Sequence, residues 1–244
     1  MRLLSSAAVI IAIVVLLGAC SGASARHYDG VYLSLGDSVA AGDGASDRAS
    51  TSFAALLAKD EGGLAVENLA VAGATTRDVI QKQLPEIDAA LSGRKIAFIT
   101  ISIGGNDLGA LIPNTTCQQE PLPASCPLDD ALASVTKNLD DIMRQLREKH
   151  GGAPIVLLLY PNFFSGTGHA FEAPAARVLP RLDEAIGGVA ARYKHTSIAR
   201  TAAVFEGEGS RLTHVLDPRF DPHPNDAGHR LIADAFVAAL KDVR

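Results

Sequence analysis

The sequence predicts a three-layer α/β/α protein, in which a mainly parallel sheet of five strands lies between two layers of helices. Short apolar segments alternate with longer segments whose apolar residues recur at helical spacing, an order typical of parallel sheets. Segment 95–103 is apolar on both faces, as expected for a strand covered by helices on each side. Of the 244 residues, about 220 follow an N-terminal leader, enough for one α/β domain with a substantial core.

Five short apolar segments are predicted as strands. The first reads Val31-Tyr32-Leu33-Ser34-Leu35 and ends at Gly36, and segment 95–103, rich in Ile and Thr, is the strongest of the five. In chain order, the predicted strands are residues 31–35, 64–69, 95–103, 154–160 and the shorter 196–199.

Five segments are predicted as helices. Segment 128–150 is the clearest, because its apolar residues fall on one stripe, and Asn225 is a good N-cap for the last helix. Proline has no N–H to donate, so we expect Pro85 to interrupt one helix and Pro174 and Pro180 another. The predicted helices are residues 51–59, 78–91, 128–150, 172–193 and the helix that follows Asn225.

Three polar or glycine-rich motifs follow predicted strands. Ser38 stands in Gly36-Asp37-Ser38-Val39, Gly73 follows the second strand, and Asn106 lies in Gly104-Gly105-Asn106-Asp107 after the third. The carboxyl ends of parallel strands meet at one edge of a sheet, so these three residues should converge there. Each has a simpler explanation alone, as a helix N-cap, a flexible glycine or a turn residue. Together they provide a nucleophile and oxyanion donors for acyl transfer by an activated serine.

The base for such a serine is predicted to be His223, in Asp221-Pro222-His223-Pro224-Asn225. Proline disfavours helical backbone in the residue before it, so Asp221 and His223 should both be extended. Residues two apart in an extended segment project to the same side, which would place the Asp221 carboxylate along the imidazole. A main-chain carbonyl near Phe220 and the carboxylate of Asp217 are the alternative partners of the ring.

No metal or cofactor is predicted. His229 could join Asp217, Asp221 and Asp226 in a metal site, but helical register after Asn225 separates it from His223. The glycines of Gly42-Asp43-Gly44 lack the third glycine of a dinucleotide-binding fingerprint.

These motifs together resemble those of the SGNH hydrolases, also called GDSL esterases and lipases. The blocks run from about Tyr32 to Gly228, nearly all of the mature domain. The resemblance implies a flavodoxin-like fold, Ser38 as nucleophile, Gly73 and Asn106 in the oxyanion hole, and His223 as base. One departure is that the family commonly writes its last block Asp-x-x-His, whereas here Asp221 stands two residues before His223.

The N-terminus is typical of a bacterial lipoprotein. Arg2 precedes an apolar run too short to span a bilayer comfortably, and Leu17-Gly18-Ala19-Cys20 resembles a lipobox. We therefore expect residues 1–19 to be a signal peptide, residues 20–28 a lipidated Cys20 with a short tether, and residues 29–244 the SGNH hydrolase domain. The protein would then be exported and lipid-anchored on the extracytoplasmic face of the membrane. An ordinary cleaved signal peptide, giving a secreted protein, is the alternative.

Export to an oxidising compartment bears on the two remaining cysteines. Cys117 and Cys126 bracket a loop without helical or strand pattern, and we expect a disulfide there. Two cysteines nine apart, without a further cysteine or an adjacent histidine, make a poor zinc site. The net charge of −5 and the lack of a basic run argue against a nucleic-acid partner, and no feature specifies an oligomeric state.

The function predicted from these observations is that of a membrane-anchored serine esterase or lipase acting on a small-molecule or lipid ester. The sequence leaves open an acyltransferase acting on cell-envelope sugars and a non-catalytic binding lipoprotein with the same fold. The chain has no Trp and 5% aromatic residues, so it offers no obvious platform for stacking sugars.

Overall fold

The computed structural model describes residues 28–243 and contains one sheet of five parallel strands. The strand order is β2-β1-β3-β4-β5, with every neighbouring pair parallel. This confirms the predicted fold class. The predicted signal peptide, Cys20 and most of the tether lie outside the described residues. The strands are β1 (Val31–Gly36), β2 (Val66–Asn68), β3 (Ile96–Ser102), β4 (Ile155–Leu159) and β5 (Thr196–Arg200).

Ten α-helical segments occur in the described part of the chain. Two groups of them pack on the sheet: α2 against α10, and α6 against α7. The segments are α1 (Ser38–Ala41), α2 (Phe53–Asp60), α3 (Thr76–Asp78), α4 (Ile87–Leu91), α5 (Gly105–Gly109), α6 (Leu128–His150), α7 (Glu172–Ala190), α8 (Ala202–Phe205), α9 (Gly209–Leu212) and α10 (Asp226–Leu240).

The centre of the sheet is buried on both faces, as its apolar sequence predicted. All residues of β1 and β4 are buried, and so are Ala97–Ser102 of β3. The outer strand β2 is shorter than predicted, covering 66–68 instead of 64–69. Leu64 instead donates its backbone N–H to Ala58 O at 3.1 Å and closes the turn after α2.

The predicted helix 78–91 is broken into pieces, as Pro85 suggested. It begins at Thr76, because Thr75 and Asp78 form a reciprocal capping box. A π-helical turn over Val79–Gln83 and a 3₁₀ turn over Leu84–Glu86 then precede α4. The missing N–H of Pro85 is thus accommodated by a change of helix type.

The helix α7 corrects a prediction, since neither Pro174 nor Pro180 interrupts it. Pro174 lies in the first turn, where the backbone N–H has no helical acceptor. Pro180 lies inside the helix, but both it and Ala176, whose carbonyl loses its N–H partner, are exposed to solvent. Water can therefore satisfy that carbonyl, and the helix continues.

Within residues 28–243, no helix has the length and apolar character that crossing a bilayer requires.

Candidate active site

The sharp exit from β1 positions Ser38. Gly36 has a φ of 134°, and a Cβ there would lie 1.9 Å from the carbonyl oxygen of Ser102 on β3, so only glycine fits. Asp37 follows and caps α1, because its side chain accepts a hydrogen bond from the backbone N–H of Val39 at 3.1 Å. Ser38 is the first residue of α1 and is partly exposed at the sheet edge.

The loop that carries His223 contacts two other segments of the chain. Its backbone pairs with the segment after α9, through hydrogen bonds from His214 N–H to His223 O at 3.0 Å and from Asn225 N–H to Leu212 O at 2.9 Å. On the other side lies Gly44, with a φ of 84°, where a Cβ would lie 2.3 Å from Pro224 O. The loop therefore requires glycine at position 44.

Ser38, His223 and Asp221 form a continuous hydrogen-bonded chain. The Nε2 atom of His223 lies 2.8 Å from Ser38 Oγ, and Nδ1 lies 2.5 Å from Asp221 Oδ1. The same carboxylate oxygen accepts the backbone N–H of His223 at 3.0 Å. Partial burial alone would raise the pKa of the Asp221 carboxyl, but these two hydrogen bonds and the charge of His223 outweigh it and lower that pKa.

The two other predicted partners of the ring lie elsewhere. The carboxylate of Asp217 is 2.8 Å from Nδ1 of His214, whose Nε2 donates to Gly44 O at 2.9 Å. Nδ1 of His223 faces the carboxylate of Asp221 and not a main-chain carbonyl near Phe220. The two prolines around His223 thus accommodate the shortened spacing between aspartate and histidine.

Among the described residues, the three predicted oxyanion donors each have a hydrogen without an acceptor: the backbone N–H groups of Ser38 and Gly73 and one amide hydrogen of Asn106. The turn that carries Gly73 lies beside the end of β1, because Val71 N–H donates to Gly36 O at 3.0 Å. Asn106 Nδ2 donates one hydrogen to Ala74 O at 2.9 Å, which leaves its second hydrogen free. In residues 28–243, no acceptor engages the backbone N–H of Ser38 or Gly73.

Asp107 connects the two segments that carry Gly73 and Asn106. Its carboxylate accepts hydrogen bonds from the backbone N–H and the hydroxyl of Thr76, at 2.9 and 2.6 Å. Asn138 on α6 donates to the same hydroxyl at 3.0 Å. This role of Asp107 was not predicted, although its position directly after Asn106 at a strand end was a usable signal.

A buried polar cluster around Asp37, the neighbour of Ser38, was not predicted either. The hydroxyl of Tyr160, at the end of β4, donates a short hydrogen bond to Asp37, and Ser102 lies 3.1 Å from the same hydroxyl. Burial raises the pKa of Asp37 to about 6, although the hydrogen bonds from Tyr160, Val39 and Ser102 act in the opposite direction. Tyr160, like Ser38 and Asn106, stands at the carboxyl end of a strand.

His229 makes structural hydrogen bonds in the interior of the protein. Its ring is buried, with Nδ1 accepting the backbone N–H of Phe53 at 3.2 Å and Nε2 donating to Asp43 O at 2.9 Å. Burial lowers the pKa of its imidazole. Across the described residues, no three His, Cys, Asp or Glu side chains cluster in a way that could hold a metal ion.

The predicted disulfide between Cys117 and Cys126 is confirmed, and it closes the loop after α5. Gly109, at the end of α5, and Ile112 and Pro113, between α5 and Cys117, line the cleft beside Ser38. The cleft has a volume of about 270 Å³. Asp37, Tyr160 and His223 are the ionisable residues that line it within the described chain.

The chain is similar in sequence and in fold to known lipases and esterases. The model of the GDSL-like lipase/acylhydrolase family matches residues 34–231. A lipase from Streptomyces rimosus is 30% identical over 165 residues, which cover 61% of this chain and 59% of that lipase. Lipase 1 from Streptomyces coelicolor is 29% identical over 148 residues, covering 54% and 53%. The matched segments thus span somewhat more than half the length of these curated relatives.

Solved structures match over more of the chain. The crystal structure of phospholipase A1 from Streptomyces albidoflavus NA297 has a TM-score of 0.67 and 26% identity, covering 88% of this chain and all of that one. The acetylxylan esterase Axe2 from Geobacillus stearothermophilus has a TM-score of 0.59 and 18% identity, covering 87% and 94%, and so shares the fold alone.

Proposed function

The chain belongs to the GDSL-like lipase/acylhydrolase family, and we propose that it is a serine esterase that hydrolyses carboxylic esters through an acyl-enzyme on Ser38. One observation above all carries this proposal. Ser38 Oγ, both nitrogens of His223 and the carboxylate of Asp221 are linked by contacts of 2.8 and 2.5 Å, at the edge of an apolar cleft. Such a chain turns a weakly nucleophilic hydroxyl into an effective one.

Acylation begins when His223 Nε2 takes the proton from Ser38 Oγ. The oxygen attacks the ester carbonyl carbon, a new C–O bond forms, and the carbonyl π electrons move to the oxygen. The tetrahedral intermediate then collapses, the bond to the alcohol oxygen breaks, and the imidazolium gives its proton to the leaving alkoxide. Asp221 holds the ring in the required tautomer and stabilises its positive charge.

Deacylation repeats the sequence with water. His223 takes a proton from a water molecule, the resulting hydroxide equivalent attacks the acyl carbon, and collapse of the intermediate returns the proton to Ser38. The products are a carboxylic acid and an alcohol, and no external cofactor enters the balance.

The negative charge of each intermediate is stabilised by three donors: the N–H groups of Ser38 and Gly73 and the free amide hydrogen of Asn106. These donors are already oriented by the folded chain, so they need no rearrangement when the charge develops. Asn106 donates its other amide hydrogen to Ala74 O, and this hydrogen bond restricts rotation of the amide.

The proposed location follows from the N-terminal sequence. Cleavage before Cys20 and lipidation of its thiol would anchor the enzyme on the extracytoplasmic face of the membrane, with the tether preceding the catalytic domain. The disulfide between Cys117 and Cys126 supports export, since such bonds persist in oxidising compartments. Small-molecule and lipid esters are the proposed substrates.

The test is covalent labelling of Ser38 together with ester hydrolysis. Ser38→Ala should abolish both fluorophosphonate labelling and hydrolysis of p-nitrophenyl esters while preserving the melting temperature. The matched control is Ser50→Ala, which removes an exposed hydroxyl that bonds Asp47 and does not line the cleft, and it should behave as wild type. A folded Ser38→Ala variant that still turns over would overturn the proposal.

Two other results would support a different function. Failure of the wild-type protein to label at Ser38 would indicate a binding protein. Transfer of the acyl group to an added sugar, in preference to water, would identify a transferase working through the same acyl-enzyme.

A further inference from the structure

We propose that the apolar part of the cleft binds the acyl chain of the ester, and that Phe220 determines the longest chain the enzyme accepts. This inference rests on the proposed esterase function and adds the substrate class. It starts from the composition of the cleft, whose lining beyond Ser38, Asn106 and His223 is almost entirely aliphatic and aromatic.

The polar groups of the cleft are already engaged. Asp37 is buried and hydrogen-bonded to Tyr160 and Val39. His223 is hydrogen-bonded to Ser38 and Asp221. No charged side chain therefore remains to recognise a charged or sugar-like group, whose burial without partners would be unfavourable. A hydrocarbon chain is the moiety that gains most from this surface.

One wall of the cleft is formed by Phe164, Phe171 and Phe220, and His169, which does not itself line the cleft, packs against all three rings to complete an aromatic cluster. The rings of His169 and Phe220 are stacked, with centroids 4.9 Å apart and planes 19° apart. His169 also stacks on Phe164 at 5.4 Å, and Phe171 meets the other three rings edge-on. The ring of His169 is itself held by a hydrogen bond from Phe171 N–H to Nδ1 at 3.1 Å.

Phe220 is the outermost member of this cluster. It is 44% exposed, although it packs on His169 and lines the cleft. Its φ of 31° lies in a region that bulky residues rarely adopt, and such strained conformations concentrate at functional sites. Its N–H donates to Asp217 O at 2.9 Å, and the next residue is Asp221. The backbone that places Asp221 against His223 thus also places the Phe220 ring at the outer end of the cleft.

The acyl part of the ester, and not the alcohol, should occupy this cleft. The alcohol leaves after taking a proton from His223, so it needs a route to solvent on the histidine side. That side is open, since the side chain of His223 is 24% exposed and that of Asp221 is 42% exposed. The acyl group stays attached to Ser38 through both half-reactions and needs a shielded place.

The size of the cleft limits the chain. A cavity of about 150 Å³ takes up benzene, and the 270 Å³ of this cleft is somewhat less than twice that volume. On that scale it holds on the order of ten carbon atoms. The enzyme should therefore prefer medium acyl chains to both acetyl and long-chain esters.

The experiment measures kcat/KM of the full chain on p-nitrophenyl esters of increasing acyl length, from acetate to palmitate. Phe220→Ala should shift the preference toward longer chains, raising the ratio of dodecanoate to butyrate activity by about tenfold or more. Leu216→Ala is the matched control, because Leu216 is 58% exposed on the same loop but does not line the cleft. It should leave the profile unchanged.

A second variant tests the same cleft in the opposite direction. Gly109 lines it, and a Cβ there would meet no atom within 4 Å, so Gly109→Leu can fold and reduce the volume. It should lower the ratio of octanoate to acetate activity. The inference fails if both variants retain the wild-type acyl profile, or if they change preference only in a series of acetate esters with lengthening alcohols. Loss of all activity in Ser38→Ala, measured alongside, keeps the esterase proposal separate from this outcome.

Discussion

At the scale of single residues, two prolines give His223 its partner. Pro222 and Pro224 hold the preceding residues extended, so the side chains of Asp221 and His223 lie on one side of the chain. The carboxylate then receives both the backbone N–H and the ring N–H of the same histidine, at 3.0 and 2.5 Å. A separation of two residues is therefore sufficient for an aspartate to orient the ring.

Asp221→Asn should lower kcat by up to ~10⁴, as loss of the aspartate does in a serine protease, because the amide favours the wrong tautomer of His223. The measurement is kcat for p-nitrophenyl ester hydrolysis at constant pH. The matched control is Asp217→Asn, which changes only the contact with His214 and should stay within about tenfold of wild type. Near-normal kcat in both variants would mean that serine and histidine work as a dyad.

The carboxyl of Asp183 should make the stability of the protein depend on pH. Burial raises the pKa of its carboxyl to about 6, against the hydrogen bond from Tyr160 N–H and the charge of Arg200. Between about pH 4, the ordinary value, and pH 6, the folded protein keeps a proton that the unfolded chain has released. The stabilising effect of the neutral carboxyl is therefore complete below pH 4 and is lost as the pH rises through 6.

Asp183→Asn keeps the accepting oxygen but cannot ionise. It should raise the free energy of unfolding at pH 7.5 by on the order of 1–3 kcal/mol, and leave it unchanged at pH 4. Thermal melts between pH 4 and 8 measure this. Glu184→Gln, at an exposed neighbouring position, should show no such pH-dependent gain. An equal gain at both pH values would contradict the assignment to burial of the charge.

At the scale of elements, the proposed oxyanion donors come from separate segments that must be held together. The turn after β2 carries Gly73, and α5 carries Asn106. Asp107 joins them by accepting two hydrogen bonds from Thr76, and Asn106 joins them again at Ala74 O. Neither the turn nor the five-residue helix is long enough to hold its own position, so these cross-links determine the distance between the two donors.

Asp107→Asn should lower kcat roughly tenfold to a hundredfold with little change in KM, because one oxygen that accepts from Thr76 is replaced by a donor and the oxyanion hole loosens. The effect should largely disappear in an Asn106→Ala background, since the two changes remove the same stabilisation. Asp130→Asn, an exposed carboxylate on α6, controls for the lost charge. Full additivity of the two changes would show that Asp107 acts elsewhere.

At the scale of the whole molecule, the resemblance inferred from four short motifs is confirmed by a family match over residues 34–231. The motifs span the domain because each lies at the end of a strand or beside the sheet edge. The disulfide between Cys117 and Cys126 is a bond that persists in oxidising compartments, as the proposed export would require.

Cys20→Ser should release the protein from the membrane fraction or stall processing of its leader, because the serine hydroxyl cannot replace the lipidated thiol. Fractionation of cells expressing the full chain, followed by immunoblotting, measures this. Cys126→Ser is a useful comparison, since it breaks the disulfide but should leave the protein on the membrane. Wild-type protein found free in the culture medium would favour the secreted alternative.

Much of the fold was predictable from local patterns. Buried parallel strands are continuous apolar runs, and amphipathic helices repeat every three to four residues, so β3 and α6 could be placed from sequence alone. The bounds of β2 and the continuity of α7 could not be predicted in this way, because they depend on which parts of the chain are exposed to solvent. Pro180 is tolerated only since its side of α7 faces solvent.

The candidate site, like the fold, was predictable only in part. Ser38, Gly73, Asn106, Asp221 and His223 could be proposed from sequence, because residue type and position after a strand are local properties. How Asp107 and Tyr160 support the site, and how Phe164, Phe171 and Phe220 form one wall of the cleft, depend on contacts between residues up to 123 positions apart. Contacts of that range leave no periodic signal in one sequence, so only the packing of the tertiary structure decided them.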